Sequence, residues 1–316
     1  MKVTTQSIDH ARETIAHTIH KTPLFTSSQL SSLCGNTIWF KGEHLQKTGS
    51  FKIRGATNKV EEAVKNGASY VTTASSGNHG QAVAYIAKKL NIDATIVVPE
   101  DANPSKTSAI HAYGGKVERC GTTSQERLPY AMELARQKKG VYIPPYDDPM
   151  IIAGQGTIGI EILEELEDVD VIIVPIGGGG LISGIATVIK EQRPSVQVIG
   201  VEPEIANDTY LSLQHGQLTS VTGVEATIAD GLRTSQPGEI TFPIVQKYVD
   251  EIVLVSEKQI REALSLMYER TKQIIEPSSA VTVAAVLFDQ LRVRNKKIVC
   301  ILSGGNVDIK NMNKIL

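Results

Sequence analysis

From residue 69 onward, short runs of β-branched and aliphatic residues alternate with segments of helical period. That alternation restricts the fold more than any other feature. SYVTTA (69–74), ATIVV (94–98), KVERC (116–120) and VYI (141–143) read as strands, with helices over 78–90, 104–113 and 124–139 between them. A second series follows Pro144 and Pro145. It runs as a helix over 155–167, a strand VDVIIV (169–174), a helix from about 181 to 192 and a strand VQVIGVE (196–202). Residues 203–240 read as irregular. Helices near 257–275 and 278–290 and a strand KIVCIL (297–302) close the series. Upstream, Ser7 is the expected cap of a first helix carrying Ile8, Ala11, Ile15 and Ile19, with Pro23 beyond its end. A short strand, TIWFK, ends at Lys41, and 52–65 is helical. Strands joined through helices pair in parallel and are covered on both faces. The expected fold class is α/β, with two open twisted parallel-sheet domains: 67–144 as the smaller, 1–66 with 145–316 as the larger.

Composition removes several function classes. A hydrophobic share of 41% and a charged share of 21% are globular values, so wholesale disorder is excluded. A net charge of −2 gives no field to recruit nucleic acid or an anionic membrane. No apolar run reaches the ~18 residues of a membrane span, and the N-terminus reads as a helix, not a signal peptide. Cys34, Cys120 and Cys300 are far apart and contain no C-x-x-C pair. That speaks against a disulfide framework or thiolate zinc site and for a reducing cytoplasm.

Open parallel sheets bind ligands at the carboxyl ends of their strands. Four loops there need explaining: KTGSFKIRGA (47–56), SSGNHGQA (75–82), GGGGLISG (177–184) and SGGN (303–306). Gly177, Gly178, Gly179 and Gly180 lie between a strand and a helix. Without Cβ atoms the backbone can approach an anion closely, and the helix N-terminus adds about half a positive charge. The segment is a phosphate cradle by its chemistry. It misses the dinucleotide pattern G-x-G-x-x-G because Ser183 stands at the last position. Glu202, ending the next strand, stands where a ribose-binding acid would sit. Lys52 alone would read as a solvated charge. Beside a phosphate cradle, on a polar turn before a helix, it suits a cofactor that carries both an aldehyde and a phosphate.

These four loops, in this order, closely resemble the serine/threonine dehydratases among the fold type II (tryptophan-synthase-β-like) pyridoxal phosphate enzymes, and most nearly their serine racemase and hydroxyaspartate ammonia-lyase branch. The resemblance covers nearly the whole chain. It implies that pyridoxal 5'-phosphate lies in the cleft between the domains, with Lys52 as Schiff-base lysine and general base. Phe51 would pack beside the cofactor ring and Asn78 would bond its hydroxyl. Gly177, Gly178, Gly179, Gly180 and Leu181 would hold the phosphate, and Ser303 would meet the pyridine nitrogen. Ser75, Ser76, Gly77, Asn78 and His79 would hold the substrate carboxylate. As residues alone, this loop reads as a helix capped by Ser76. Ser76 also matches the racemases' second base, on the face opposite Lys52. Arg127 would meet a second substrate carboxylate; otherwise it reads as a solvated helix residue.

Three further implications follow from the same likeness. Glu202, the Ala206 carbonyl and Asp208 match a site for a divalent cation (Mg²⁺, Ca²⁺ or Mn²⁺), although alone they read as ordinary surface groups. Ser27, Ser28, Lys47, Thr48 and Lys106 match positions that hold ATP, or another nucleotide activator, at a homodimer interface. The two domains use up the length, so no C-terminal regulatory domain is expected. The implied reaction is α,β-elimination from a hydroxy amino acid to a keto acid and ammonia, with serine racemisation beside it. The alternatives are a hydroxyaspartate ammonia-lyase, a β-replacement enzyme and a nucleotide-binding oxidoreductase or sensor. The β-replacement enzymes carry an asparagine loop like SGNTG where this chain has SSGNHG.

Overall fold

Residues 171–175 (VIIVP) are buried along their whole length, as a central parallel strand requires. Around them the computed structural model, which describes residues 2–102 and 104–316, builds two sheets. The strands are β1 Leu24–Thr26, β2 Thr37–Gly42, β3 Tyr70–Ala74, β4 Asp93–Val98, β5 Lys116–Arg119, β6 Val141–Tyr142, β7 Val171–Pro175, β8 Gln197–Pro203, β9 Glu251–Val255 and β10 Lys297–Leu302. The helices are α1 Thr5–Ile15, α2 Ser28–Cys34, α3 Lys52–Lys65, α4 Asn78–Lys89, α5 Pro104–Ala112, α6 Ser124–Gln137, α7 Pro149–Glu165, α8 Gly180–Gln192, α9 Asp208–His215, α10 Thr241–Tyr248, α11 Glu257–Thr271 and α12 Pro277–Leu287.

The larger sheet has the order β1-β2-β10-β7-β8-β9 and the smaller β5-β4-β3-β6. Every pairing is parallel except β1 with β2. The period of two along a strand divides the core. On β10, Ile298, Cys300 and Leu302 join α11 and α12 on one face, while Val299 and Ile301 join α7 and α8 on the other. A third cluster covers the smaller sheet. It unites Val71, Ile86 and Ile96 with Ile53, Ala56 and Val60 of α3.

Several expectations are corrected. Thr4, not Ser7, caps α1. Ser7 is the third residue of the helix and completes a reciprocal capping box by accepting from the Thr4 N–H. The helix expected from 155 starts at Pro149, with the Asp148 carboxylate accepting from the N–H groups of Met150 and Ile151. Residues 151–163 of α7 are buried all round, so no amphipathic period marks its start. α11 stops at Thr271 because Lys272 turns left-handed at φ +61°. The sheet is not wholly parallel: β1 is an antiparallel edge of three residues, too short for a pattern. α2, α9, α10 and β9 were also unassigned from the sequence. α9 falls inside the supposedly irregular 203–240.

Candidate active site

The loops at the carboxyl ends of the two sheets face one cavity of about 520 Å³. Lys52, the first residue of α3, enters it. Its turn is fixed to the end of β10: the Phe51 N–H donates to the Ser303 carbonyl at 3.0 Å, and Ser50 bridges Gly304. The Lys52 Nζ donates to the Pro145 carbonyl at 2.6 Å and lies 5.2 Å from the Phe51 ring centre. Burial pulls its pKa down to about 8, an effect partly offset by the Glu276 carboxylate. An amine in that environment loses its proton more readily than a solvent lysine.

The tetraglycine forms a second wall. α8 begins at Gly180, and Gly179 takes a left-handed φ of +85°. A Cβ on Gly178 would lie 2.3 Å from the Tyr146 ring, and one on Gly179 would lie 2.9 Å from the Thr241 hydroxyl. The bare backbone is therefore sterically required, and it places the N-terminus of the buried helix α8 at the cavity wall. Leu181 lines the same wall.

The third wall is the loop Ser75–Ser76–Gly77 leading into α4. Gly77, not Ser76, stands at the N-cap, and no side chain caps the helix. The expected cap role of Ser76 is thus corrected; the first-turn donors stay free to meet an anion. The Asn78 amide donates to both Glu276 carboxylate oxygens at 2.9 and 3.1 Å, and its carbonyl accepts from Asn306 at 2.8 Å. His79 is buried. Its Nε2–H donates to the Ile143 carbonyl at 3.0 Å, and desolvation, with Lys52 nearby, lowers its pKa to about 3. It is a neutral imidazole. Ser303 lies at the cavity floor, with its hydroxyl 3.2 Å from that of Ser279.

Arg127 lines the cavity from α6 and is not fully solvated. Its Nη1 is buried without a partner, and burial lowers its pKa. Lys106 also belongs to this cavity, where it is ion-paired with Asp230. Its expected nucleotide companions lie at other positions: Ser27 caps α2, Ser28 and Lys47 are exposed, and Thr48 is buried. Several cavity residues have no role in the sequence reading, and three of them shape the site. Tyr146 packs on the glycine loop, Asn306 joins Asn78 to the Thr48 carbonyl, and Glu276 is a buried carboxylate with a pKa raised to about 7 by desolvation and by Asp230. Only the Glu276–Pro277 pair, a helix-start signal, could have drawn attention to the last.

Glu202, Ala206 and Asp208 are wholly buried, so the surface reading of the carboxylates is wrong. Glu202, at the end of β8, accepts from the N–H groups of Thr209 at 3.0 Å and Tyr210 at 2.8 Å. A carboxylate engaged in this way is not available to a ribose. Both Asp208 carboxylate oxygens are buried without a partner. Desolvation raises Glu202 to about 7; desolvation and the Glu202 charge raise Asp208 to about 8. Such a pair lacks a positive charge, and the oxygen donors fit a hard divalent cation. Among the described residues no cluster of three His, Cys, Asp or Glu side chains forms, so any cation here would also need main-chain oxygen or water.

Known proteins share this chain's sequence and fold. Residues 15–304 match the family described as pyridoxal-phosphate dependent enzyme. The chain is 44% identical to a serine racemase of Dictyostelium discoideum, over 99% of this chain and 98% of that one. It is 44% identical to an L-threonine ammonia-lyase of Thermotoga maritima, over 99% of this chain and 78% of that one. The solved structure of maize serine racemase superposes with a TM-score of 0.93 at 37% identity, covering 99% of this chain and 97% of that one. No helix among the described residues is long and apolar enough to cross a membrane. With a family match over residues 15–304 and relatives of this identity across its length, the chain belongs to the fold type II family of pyridoxal-phosphate dependent enzymes.

Proposed function

We propose that this enzyme is a serine/threonine ammonia-lyase, with serine racemisation as a second outcome at the same site. The observation that carries the reading is one cavity that the Lys52 amine shares with two helix N-termini, those of α4 and α8. A pyridoxal phosphate needs a place for its phosphate and a reach for its aldehyde. The bare glycine wall and the buried amine supply both, so the residues fit the group. When bound, the cofactor supplies an electron sink for charge developing at the substrate α carbon.

The chain's own residues do the rest. The glycine loop and Leu181 hold the phosphate; Phe51, Asn78 and Ser303 set the ring. The Ser75–His79 segment binds the substrate carboxylate through first-turn donors, which orients the α proton. Lys52, with its lowered pKa, takes that proton at Nζ as general base. Ser76 is the second proton-carrying group, and its hydroxyl is what makes racemisation available beside elimination. Arg127, with an unpartnered Nη1, gives a second carboxylate a place, which supports 3-hydroxyaspartate as a further substrate. The Glu202–Asp208 pair supports binding of Mg²⁺, Ca²⁺ or Mn²⁺.

The resemblance to the racemase branch further supports two domains, 1–66 with 145–316 and 67–144, a homodimer and a nucleotide activator at Ser27, Ser28, Lys47, Thr48 and Lys106. The three unpaired cysteines support a cytoplasmic setting. The deciding experiment incubates the purified enzyme with pyridoxal phosphate, Mg²⁺ and, in turn, L-serine, L-threonine, D-serine and 3-hydroxyaspartate. Keto acid and the enantiomer of the remaining amino acid are measured. A protein that stays colourless with the cofactor and forms neither product rejects the reading.

A further inference from the structure

Arg54 lies two residues after Lys52 and is completely buried. Its guanidinium uses all five N–H donors. Nε and Nη2 donate to Glu43 at 2.8 and 2.8 Å, Nη1 and Nη2 to Glu161 at 2.6 and 2.9 Å, and Nη1 to the Thr157 hydroxyl at 3.1 Å. Lys41, also enclosed, donates from Nζ to Glu161 at 2.8 Å and to the Thr22 carbonyl at 2.6 Å. The Thr22 hydroxyl donates to Glu43 at 2.5 Å. Two cations and two carboxylates are thus enclosed together, and Lys41 also reaches the outer Glu165 carboxylate at 3.6 Å.

Stability alone does not call for this arrangement, since apolar residues of similar volume often serve as well or better in a core. Geometry does distinguish it. Side chains two apart on a helix point roughly 200° from one another, so Lys52 enters the cavity while Arg54 grips the far side of the same first turn. The fork reaches the turn after β2 through Glu43 and α7 through Glu161, which fixes both the rotation and the height of α3. The backbone contacts are equally close. A Cβ on Gly154 of α7 would lie 2.6 Å from the Gly55 Cα, and the Gly55 N–H donates to the Gln155 side chain at 3.2 Å. Pro145, which receives the Lys52 amine, lies just before α7. The lysine and its acceptor are therefore referenced to one helix pair.

We propose that Arg54 is a positioning residue for Lys52: its double fork to Glu43 and Glu161 sets the orientation of α3 from which the amine reaches the reacting carbon. The inference rests on the reading of Lys52 as cofactor-holding base. A ~1 Å misplacement of a catalytic group can cost about a hundredfold in rate.

The test compares holoenzymes of R54K, E161Q, Lys52→Ala and a core control, Leu264→Ala, by kcat, KM, thermal midpoint and the pH profile of kcat. For R54K the expected result is a fall in kcat of about tenfold to a hundredfold. KM should change little, and the basic group in the profile should shift. E161Q should fall in the same direction by less. Leu264→Ala should lower the thermal midpoint with kcat intact, which separates geometry from stability. Wild-type kcat in R54K overturns the proposal. So does failure of both network variants to fold, because that assigns the network to stability alone. Retained turnover in Lys52→Ala instead overturns the underlying reading of the lysine.

Discussion

Gly178→Ala tests the proposed phosphate cradle directly. The new Cβ would lie 2.3 Å from Tyr146 Cγ and 2.4 Å from both Cδ atoms. Carbon atoms pack at about 3.5–4 Å, so more than about 1 Å of displacement must be found. The contact is with the root of the ring, so rotation about the Cβ–Cγ bond does not clear it: either the ring swings as a whole or the loop moves, and both disturb the wall that Tyr146 and the glycines share along the cavity. Overpacking of this kind costs about 1–3 kcal/mol. If it falls on cofactor binding, affinity drops by about fivefold to a hundred-and-fiftyfold. The assay titrates the cofactor-free protein with pyridoxal phosphate and follows visible absorbance. Tyr146→Ala removes the obstructing ring. The cost of Gly178→Ala should therefore shrink in the Tyr146→Ala background, a coupling that a double-mutant cycle reads directly. Wild-type cofactor affinity in Gly178→Ala, or the same cost with and without the Tyr146 ring, refutes the reasoning.

Further outcomes follow from the site. Lys52→Ala removes the proposed covalent hold on the cofactor and the proposed base, so the visible band and keto acid formation should both vanish; cofactor capture by the cofactor-free wild type should quicken as pH rises through about 8, since the neutral amine reacts. Ser76→Ala should keep elimination and lose racemisation, read as D-serine formed from L-serine. Glu202 and Asp208 are both held above their unfolded range, so the folded state binds more protons. Without a cation, that pair costs stability increasingly as pH rises from the ordinary carboxyl range through about 7 to 8, and the cost is absent at acid pH. Mg²⁺ should therefore raise the thermal midpoint more at about pH 8.5 than at about pH 5.5, and Asp208→Asn should abolish the difference; an equal shift at both pH values contradicts the site.

Much of this was readable before folding, for local reasons. The boundaries of α3 and β10 were legible to the residue, because apolar period and flanking turns coincide there. The glycine loop was legible because four residues without side chains can serve few purposes at a strand-to-helix turn. The start of α7 was hidden because a helix buried all round has no polar face to phase it. β1 was hidden because three residues carry no period, and its antiparallel place depends on β2 beside it.

The sequence by itself determined the strand and helix alternation, and with it the end of the sheets where chemistry would gather. It also determined which loops could hold an anion and which lysine stood beside them. Those are properties of neighbouring residues. The tertiary structure alone decided that Glu276 meets Asn78, that Tyr146 closes the glycine loop, that Glu202 and Asp208 are sealed from water, and that Arg54 joins Glu43 to Glu161. Burial and charge pairing depend on which distant segments the fold brings within a few ångströms, and no local period records that distance.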